Sequence, residues 1–304
     1  MKSSNGNSIS VGNAGVDDAL RLLQRAAEVS LPLTPDTIDR IMDSSRTLYA
    51  VACTPANTKL ITQAIDHILS DPTYRKDPEI QAFYANVRCC DYLNHWNGAD
   101  IKDLEAAEGA VAIALRANPK HRRAVYVSAF LHRARGRREQ ARDAFNQLIA
   151  LNPQANDRML AEAYAQAGSE WMHLGRPERT QEMVDKAIAI TSEDSPALGV
   201  FLWISGRRAF IQRKYPQAID YLERSIGVRT NFWYTRAYLI AAFALNHQMD
   251  KARQELGEFR ALFPGLDSVS AIIEAEGKNP NTHGMMVEAR DRMHEALMSL
   301  GFPR

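Results

Sequence analysis

Residues 158–190 read RMLAEAYAQAGSEWMHLGRPERTQEMVDKAIAI. Apolar residues return at helical spacing through 158–173, Gly175-Arg176-Pro177 interrupts them, and the period resumes over 177–190. That pattern predicts two helices joined by a tight turn. In the second helix the small Thr180 stands one turn before the larger Val184. A small side chain lets two helices approach, and the bulky one beside it fills the space next to the contact. The same pairing recurs as Ala107 with Val111, Ala141 with Phe145, Ala218 with Leu222 and Ala252 with Leu256, at intervals of 34, 39, 38 and 34 residues. A period near 34 specifies helical hairpins that bury their faces only by stacking, so the fold class expected is an all-α solenoid.

Working outward, five helix pairs are expected: 79–95 with 102–117, 122–134 with 138–150, 158–173 with 177–190, 197–212 with 216–227, and 231–245 with 249–262. The turns inside the later pairs hold Gly136-Arg137, Gly175-Arg176-Pro177, Lys214-Tyr215-Pro216 and His247-Gln248. Pro119, Pro153 and Pro264 fall twelve residues after their small residues, where a helix must stop; Ser192 and Thr230 take that place elsewhere. Strands have no clear candidate. Ahead of the pairs, Ser, Asn and Gly dominate 1–15, which reads as a disordered tail. Three helices follow it, near 16–29 with Leu20, Leu23 and Ala27, from Thr34-Pro35 with Ile38, Ile41, Ser45, Leu48 and Ala52, and from Thr54-Pro55 with Leu60, Ile61, Ala64, Ile65 and Ile68. At the other end 285–300, with Met286, Met293, Leu297 and Leu300, reads as an amphipathic helix suited to cover the open end of a solenoid. The domain reading is therefore a tail at 1–15, packed helices at 16–78, repeats at 79–264 and a capping segment at 265–304.

The bulk numbers suit one soluble, elongated body: 45% of residues are apolar, 24% are charged and the net charge is +1. A nearly neutral chain argues against a dedicated nucleic-acid binder. Cys53, Cys89 and Cys90 make no disulfide framework and no zinc-ligand spacing. Cys89 and Cys90 point in different helical directions, and Cys90 shares a stripe with Phe83 and Val87, which reads as core packing. Without a secretory signal or a spanning apolar run, a cytoplasmic protein is expected, with no membrane contact. No metal-ligand pair, phosphate loop, nucleophile elbow or dinucleotide turn is present, so no enzyme, cofactor or metal is expected.

Several residues together resemble the tetratricopeptide repeat (TPR): Tyr164, Ala167, Gly168, Trp171, Gly175 and Ala187 in the third pair, and Leu202, Ser205, Gly206, Tyr215, Ala218 and Leu222 in the fourth. The resemblance covers about 79–264 and implies a right-handed superhelical solenoid of about five hairpins. More narrowly, 102–304, through Phe263-Pro264-Gly265-Leu266 and Leu300-Gly301-Phe302-Pro303, resembles the repeat tails of bacterial adenylate or guanylate cyclases and of some winged-helix regulators. Residues 1–78 have no room for a cyclase core, so cyclase activity is not expected.

In that family the first helix of each hairpin lines the concave groove. The resemblance thus implies a partner-binding set of Arg123, Tyr126, Phe130, Arg133, Glu162, Ser169, Trp203, Arg207, Tyr234 and Tyr238. Arginine and large aromatics are common interface anchors, and packing between hairpins is the competing role of the aromatics. Between Lys120 and Arg142 eight basic residues stand against one acid, Glu139, which would attract an acidic partner segment; the bland reading is a turn with Arg135, Arg137 and Arg138 in water. The lysine and asparagine clamp by which some relatives hold a terminal carboxylate is missing. The function expected is a protein- or peptide-binding adaptor or regulator. Two alternatives are a small-ligand sensor or enzyme with Arg207, Glu162 and His173 in a pocket, and a self-associating scaffold forming a homodimer.

Overall fold

The small residues that set the period are all removed from solvent: Ala107, Ala141, Thr180, Ala218 and Ala252 are each 0% exposed in the computed structural model. Their larger followers are buried with them. The structure describes residues 13–28, 31–51, 53–228, 232–276 and 282–304, and among these it is all helical, with fifteen helices and no strand. The chain divides into two compact units, 1–127 and 128–304.

In the first unit α1 (Asn13–Ala27), α2 (Pro35–Val51) and α3 (Pro55–Ser70) pack on one another, and α3 packs on α4 (Pro78–Asn94), which pairs with α5 (Ile101–Ala117). Their starts are written in the sequence. Thr54 and Asp77 accept hydrogen bonds from free amides of α3 and α4 ahead of a proline in the first turn, and Asp100 makes a reciprocal capping box with Asp103 at α5. Ile38, Ile41, Ser45 and Leu48 form the buried stripe of α2 as read, whereas α1 buries Ala19, Leu23 and Ala26, one position off the expected Leu20 and Ala27. Ala52 and residues 1–12 of the expected tail lie outside the described residues, and 13–15 open α1. On α4 the buried cysteine is Cys89, at 2% exposure, while Cys90 is half-buried, which corrects the stripe expected through Cys90.

The second unit begins within α6 (Arg122–Ala134), and continues with α7 (Arg138–Leu151), α8 (Arg158–His173), α9 (Glu178–Ala189), α10 (Ala197–Ile211), α11 (Tyr215–Val228), α12 (Trp233–Leu245) and α13 (Met249–Leu262). The pairs α8/α9, α10/α11 and α12/α13 are hairpins, and the first helices α8, α10 and α12 stand side by side. Where Thr180 replaces alanine, its hydroxyl donates to the Gly168 carbonyl of the partner helix at 2.9 Å. Gly206 has no room for more than hydrogen, since a Cβ there would meet Leu222 at 2.7 Å.

The same turn follows α6, α8, α10 and α12. Arg137, Arg176, Lys214 and Gln248 each donate a backbone N–H to the carbonyl five residues back, at 2.8 to 2.9 Å. The preceding residue is left-handed each time: Gly136 and Gly175, then Arg213 and His247 at φ 60°. Two additions complete the unit. A short helix, α14 (Val269–Glu276), was not evident in the sequence; α15 (Gly284–Ser299) packs against α12 and α10 and touches α14. Met286, Met293 and Leu297 on its apolar stripe are buried, and Leu300 is half-buried.

Candidate functional site

In the second unit the first helices carry two groups of polar and aromatic contacts. Glu170 on α8 is a fully buried carboxylate between two guanidiniums: Arg133 Nε lies 2.5 Å from one oxygen and Arg138 Nη1 3.2 Å from the other. Arg133 also donates to Gln166 Oε1 at 2.8 Å and lies over the Phe130 ring at 4.9 Å, and Phe130 meets Phe145 edge-on at 5.3 Å. A buried charge is tolerated only with such compensation. Arg138 is 4% exposed and pairs with Glu170, so it does not stand in water as the basic turn suggested. Burial holds its pKa below the ordinary guanidinium value, opposed by Glu170 and assisted by Arg133 and Arg207.

His173 closes this end of α8. Burial first, then Arg207, Arg138 and Arg133, push its pKa well below the usual imidazole range, so the ring is neutral. Its Nδ1 lies 3.2 Å from Thr282 Oγ1, and its carbonyl accepts the His283 N–H at 2.9 Å. Gly175 admits that contact: a Cβ there would fall 2.5 Å from the His283 ring.

Arg207 lies 5.7 Å from the Trp203 ring and close enough to the Tyr238 hydroxyl to lower its pKa. Trp203 in turn touches Tyr234 at 4.8 Å and Tyr238 at 5.2 Å between centroids, and Tyr238 meets Phe210 at 5.0 Å. Six of the expected residues are therefore joined in two groups, Phe130 with Arg133 and Trp203 with Arg207, Tyr234 and Tyr238. Trp203 and Tyr238 are buried at 9% and 5% exposure. Burial raises the Tyr238 pKa, with Glu276 adding to it and Arg207 and Arg290 opposing. Ser169 is buried on α8, and Glu162 pairs with Arg158 at 2.8 Å.

Arg123 and Tyr126 lie in the first unit. Arg123 stands 3.7 Å from Glu79 and 5.3 Å from the Phe83 ring, and Glu79 also takes Arg46 at 3.1 Å and His121 at 3.0 Å. Burial lowers the Arg123 pKa, with Glu79 opposing and Arg46 assisting. Tyr126 is half-buried.

The groups that sequence reasoning missed are Gln166 and Glu170. With Glu162 they follow at four-residue intervals on one side of α8. That spacing was visible, but their guanidinium partners come from other helices. Among the described residues no cluster of three metal-ligating side chains exists, and no helix is long and apolar enough to cross a membrane.

The arrangement is that of a helical-repeat protein with TPR-like hairpins. No family model matches the chain, and no curated protein matches it. Solved structures do. A tetratricopeptide repeat protein from Parabacteroides merdae is 12% identical, with a TM-score of 0.50 over 93% of this chain and 99% of its own. The nearly identical TPR-like repeats of a Podosopora anserina kinesin light chain are 17% identical, with a TM-score of 0.48 over 62% of this chain and 96% of theirs. YrrB, described as a TPR protein with an unusual peptide-binding site, is 12% identical, with a TM-score of 0.44 over 76% and 99%. At these identities the likeness is one of fold.

Proposed function

We propose that the chain is a non-enzymatic protein- or peptide-binding adaptor or regulator whose docking surface is the first-helix side of the second unit. The observation that carries this reading is the placement of two polar and aromatic groups, Arg133 with Gln166 and Arg207 with Trp203 and Tyr234, the latter group and Gln166 on first helices that stand side by side. Preorganised arginines and aromatics are the groups that supply most interface energy. The partly exposed Arg207 beside the neutral His173 favours a partner segment carrying a carboxylate. Arg123 and Tyr126 are a separate candidate patch of the first unit. The helices of 16–78 and the segment 265–304 support the repeats at 79–264 in this reading, in a cytoplasmic protein akin to the repeat tails of bacterial cyclases.

Capture from the native cell tests it. Arg207→Glu and Tyr234→Ala, both on the proposed side, should each reduce recovery of the specific partner at least tenfold, while Glu182→Lys on the exposed side of α9 should leave it unchanged. Equal recovery by all folded variants would refute this surface. Ligand density enclosed by Arg207 and His173 in a crystal would instead favour a small-ligand sensor, and concentration-dependent light scattering would reveal a self-associating scaffold.

A further inference from the structure

Two of the three cysteines meet across the first unit. Cys53 stands exposed immediately before α3, Cys90 is half-buried near the end of α4, and their sulfurs are 4.0 Å apart. Asn97 fixes the surrounding backbone, donating to the Pro55 carbonyl at 2.9 Å, Thr58 Oγ1 at 3.1 Å and Asp91 Oδ2 at 3.1 Å. The start of α3 is thereby stitched to the segment that carries Cys90. A disulfide needs sulfurs about 2.05 Å apart, so closing this pair takes a further approach of about 2 Å, within reach of side-chain rotation at an exposed position such as Cys53. Cys89 is excluded by direction: it is buried, and neighbours on a helix point about 100° apart.

We propose that Cys53 and Cys90 are a peroxide-oxidisable dithiol that closes to an intramolecular disulfide within the first unit. Cys90 is the attacking group: its sulfur accepts from Asn94 Nδ2 at 3.4 Å and lies 4.0 Å from that of Cys53, with Tyr49 beside it. These contacts, that of Cys53 foremost, lower its pKa against the opposing effects of burial and Asp91. The Cys90 thiolate attacks one oxygen of hydrogen peroxide; the O–O bond breaks, hydroxide leaves and is protonated to water, and sulfur becomes a sulfenic acid, oxidised by two electrons as the peroxide is reduced. The Cys53 thiolate then attacks that sulfur. The S–S bond forms, the S–O bond breaks, and the departing hydroxide takes up a proton, so two thiols and one peroxide yield one disulfide and two waters.

The full chain, exposed to hydrogen peroxide, alkylated and cut with trypsin, gives the test. Cleavage isolates Cys53 in residues 47–59 and Cys89 with Cys90 in residues 89–102. The expected product is these two peptides joined through Cys90, with Cys89 alkylated and the link reversed by dithiothreitol. In Cys53→Ser the Cys90 sulfenic acid should persist and be trapped by dimedone. A link through Cys89, a link between two copies, or alkylation of both Cys53 and Cys90 after an exposure that fully oxidises glutathione would overturn the proposal. Circular dichroism matching the wild type shows that Cys53→Ser is folded before it is compared.

Discussion

Helices α8 and α12 open equivalent hairpins of the same unit, yet they are solvated differently. α8 leaves Glu162, Tyr164 and Gln166 partly exposed along its length, whereas α12 is buried without interruption from Thr235 to Phe243. The cause is α15, which lies on α12 and α10 and brings Arg292 over the Phe210 ring at 5.8 Å. One first-helix side is thus partly filled by the chain itself, and the proposed docking surface centres on α8 and the adjoining part of α10. Repeat position alone does not define a binding residue; what packs against it decides.

The largest effect is expected at the polar end of this contrast. Glu170→Ala leaves Arg133 and Arg138 buried without their carboxylate and should cost roughly 3–5 kcal/mol, read by urea denaturation; a loss below about 1 kcal/mol would mean that the pair is solvated. At the covered end, Met293→Ala should cost roughly 2–4 kcal/mol, and Met298→Ala, on the exposed side of the same helix, within about 0.5 kcal/mol of zero. Equal costs would contradict the packing of α15 on α12.

His173 gives a pH test of the same polar end. Its folded pKa lies well below 6.5, so above 6.5 the ring is neutral in both states and contributes nothing to the pH dependence. As pH falls below 6.5 the unfolded chain takes up a proton that the folded ring refuses, and stability drops until the folded pKa is reached. Wild type should lose about 1 kcal/mol more than His173→Gln between pH 7 and 5.5. Parallel profiles would show that the ring is solvated. The smallest effect concerns the turns: Arg213→Gly, at a left-handed position, should gain about 0.5–1 kcal/mol, and an equal loss would show that the Arg213 side chain contributes more than its backbone strain.

Much of this architecture was legible. The pairing of Ala141 with Phe145 or Ala218 with Leu222 survives in sequence because close helix contacts need a fixed size at a fixed spacing. Turns were less explicit, since Arg213 and His247 adopt the conformation that Gly136 and Gly175 announce. The polar network was hardest to read. Glu170 looks like any helical surface carboxylate until other helices bring Arg133 and Arg138 to it, and α14 is signalled only by Ser268, which caps it by accepting from the Ala271 N–H at 3.2 Å, and by the buried pair Val269 and Ile272 over eight residues.

The most direct measurement places a photo-crosslinking amino acid at position 162 on α8 or 182 on α9 and irradiates the native cell. The docking account expects a partner adduct from 162, weakened by Arg207→Glu, and none above background from 182. An adduct of equal or greater yield from 182 would contradict it.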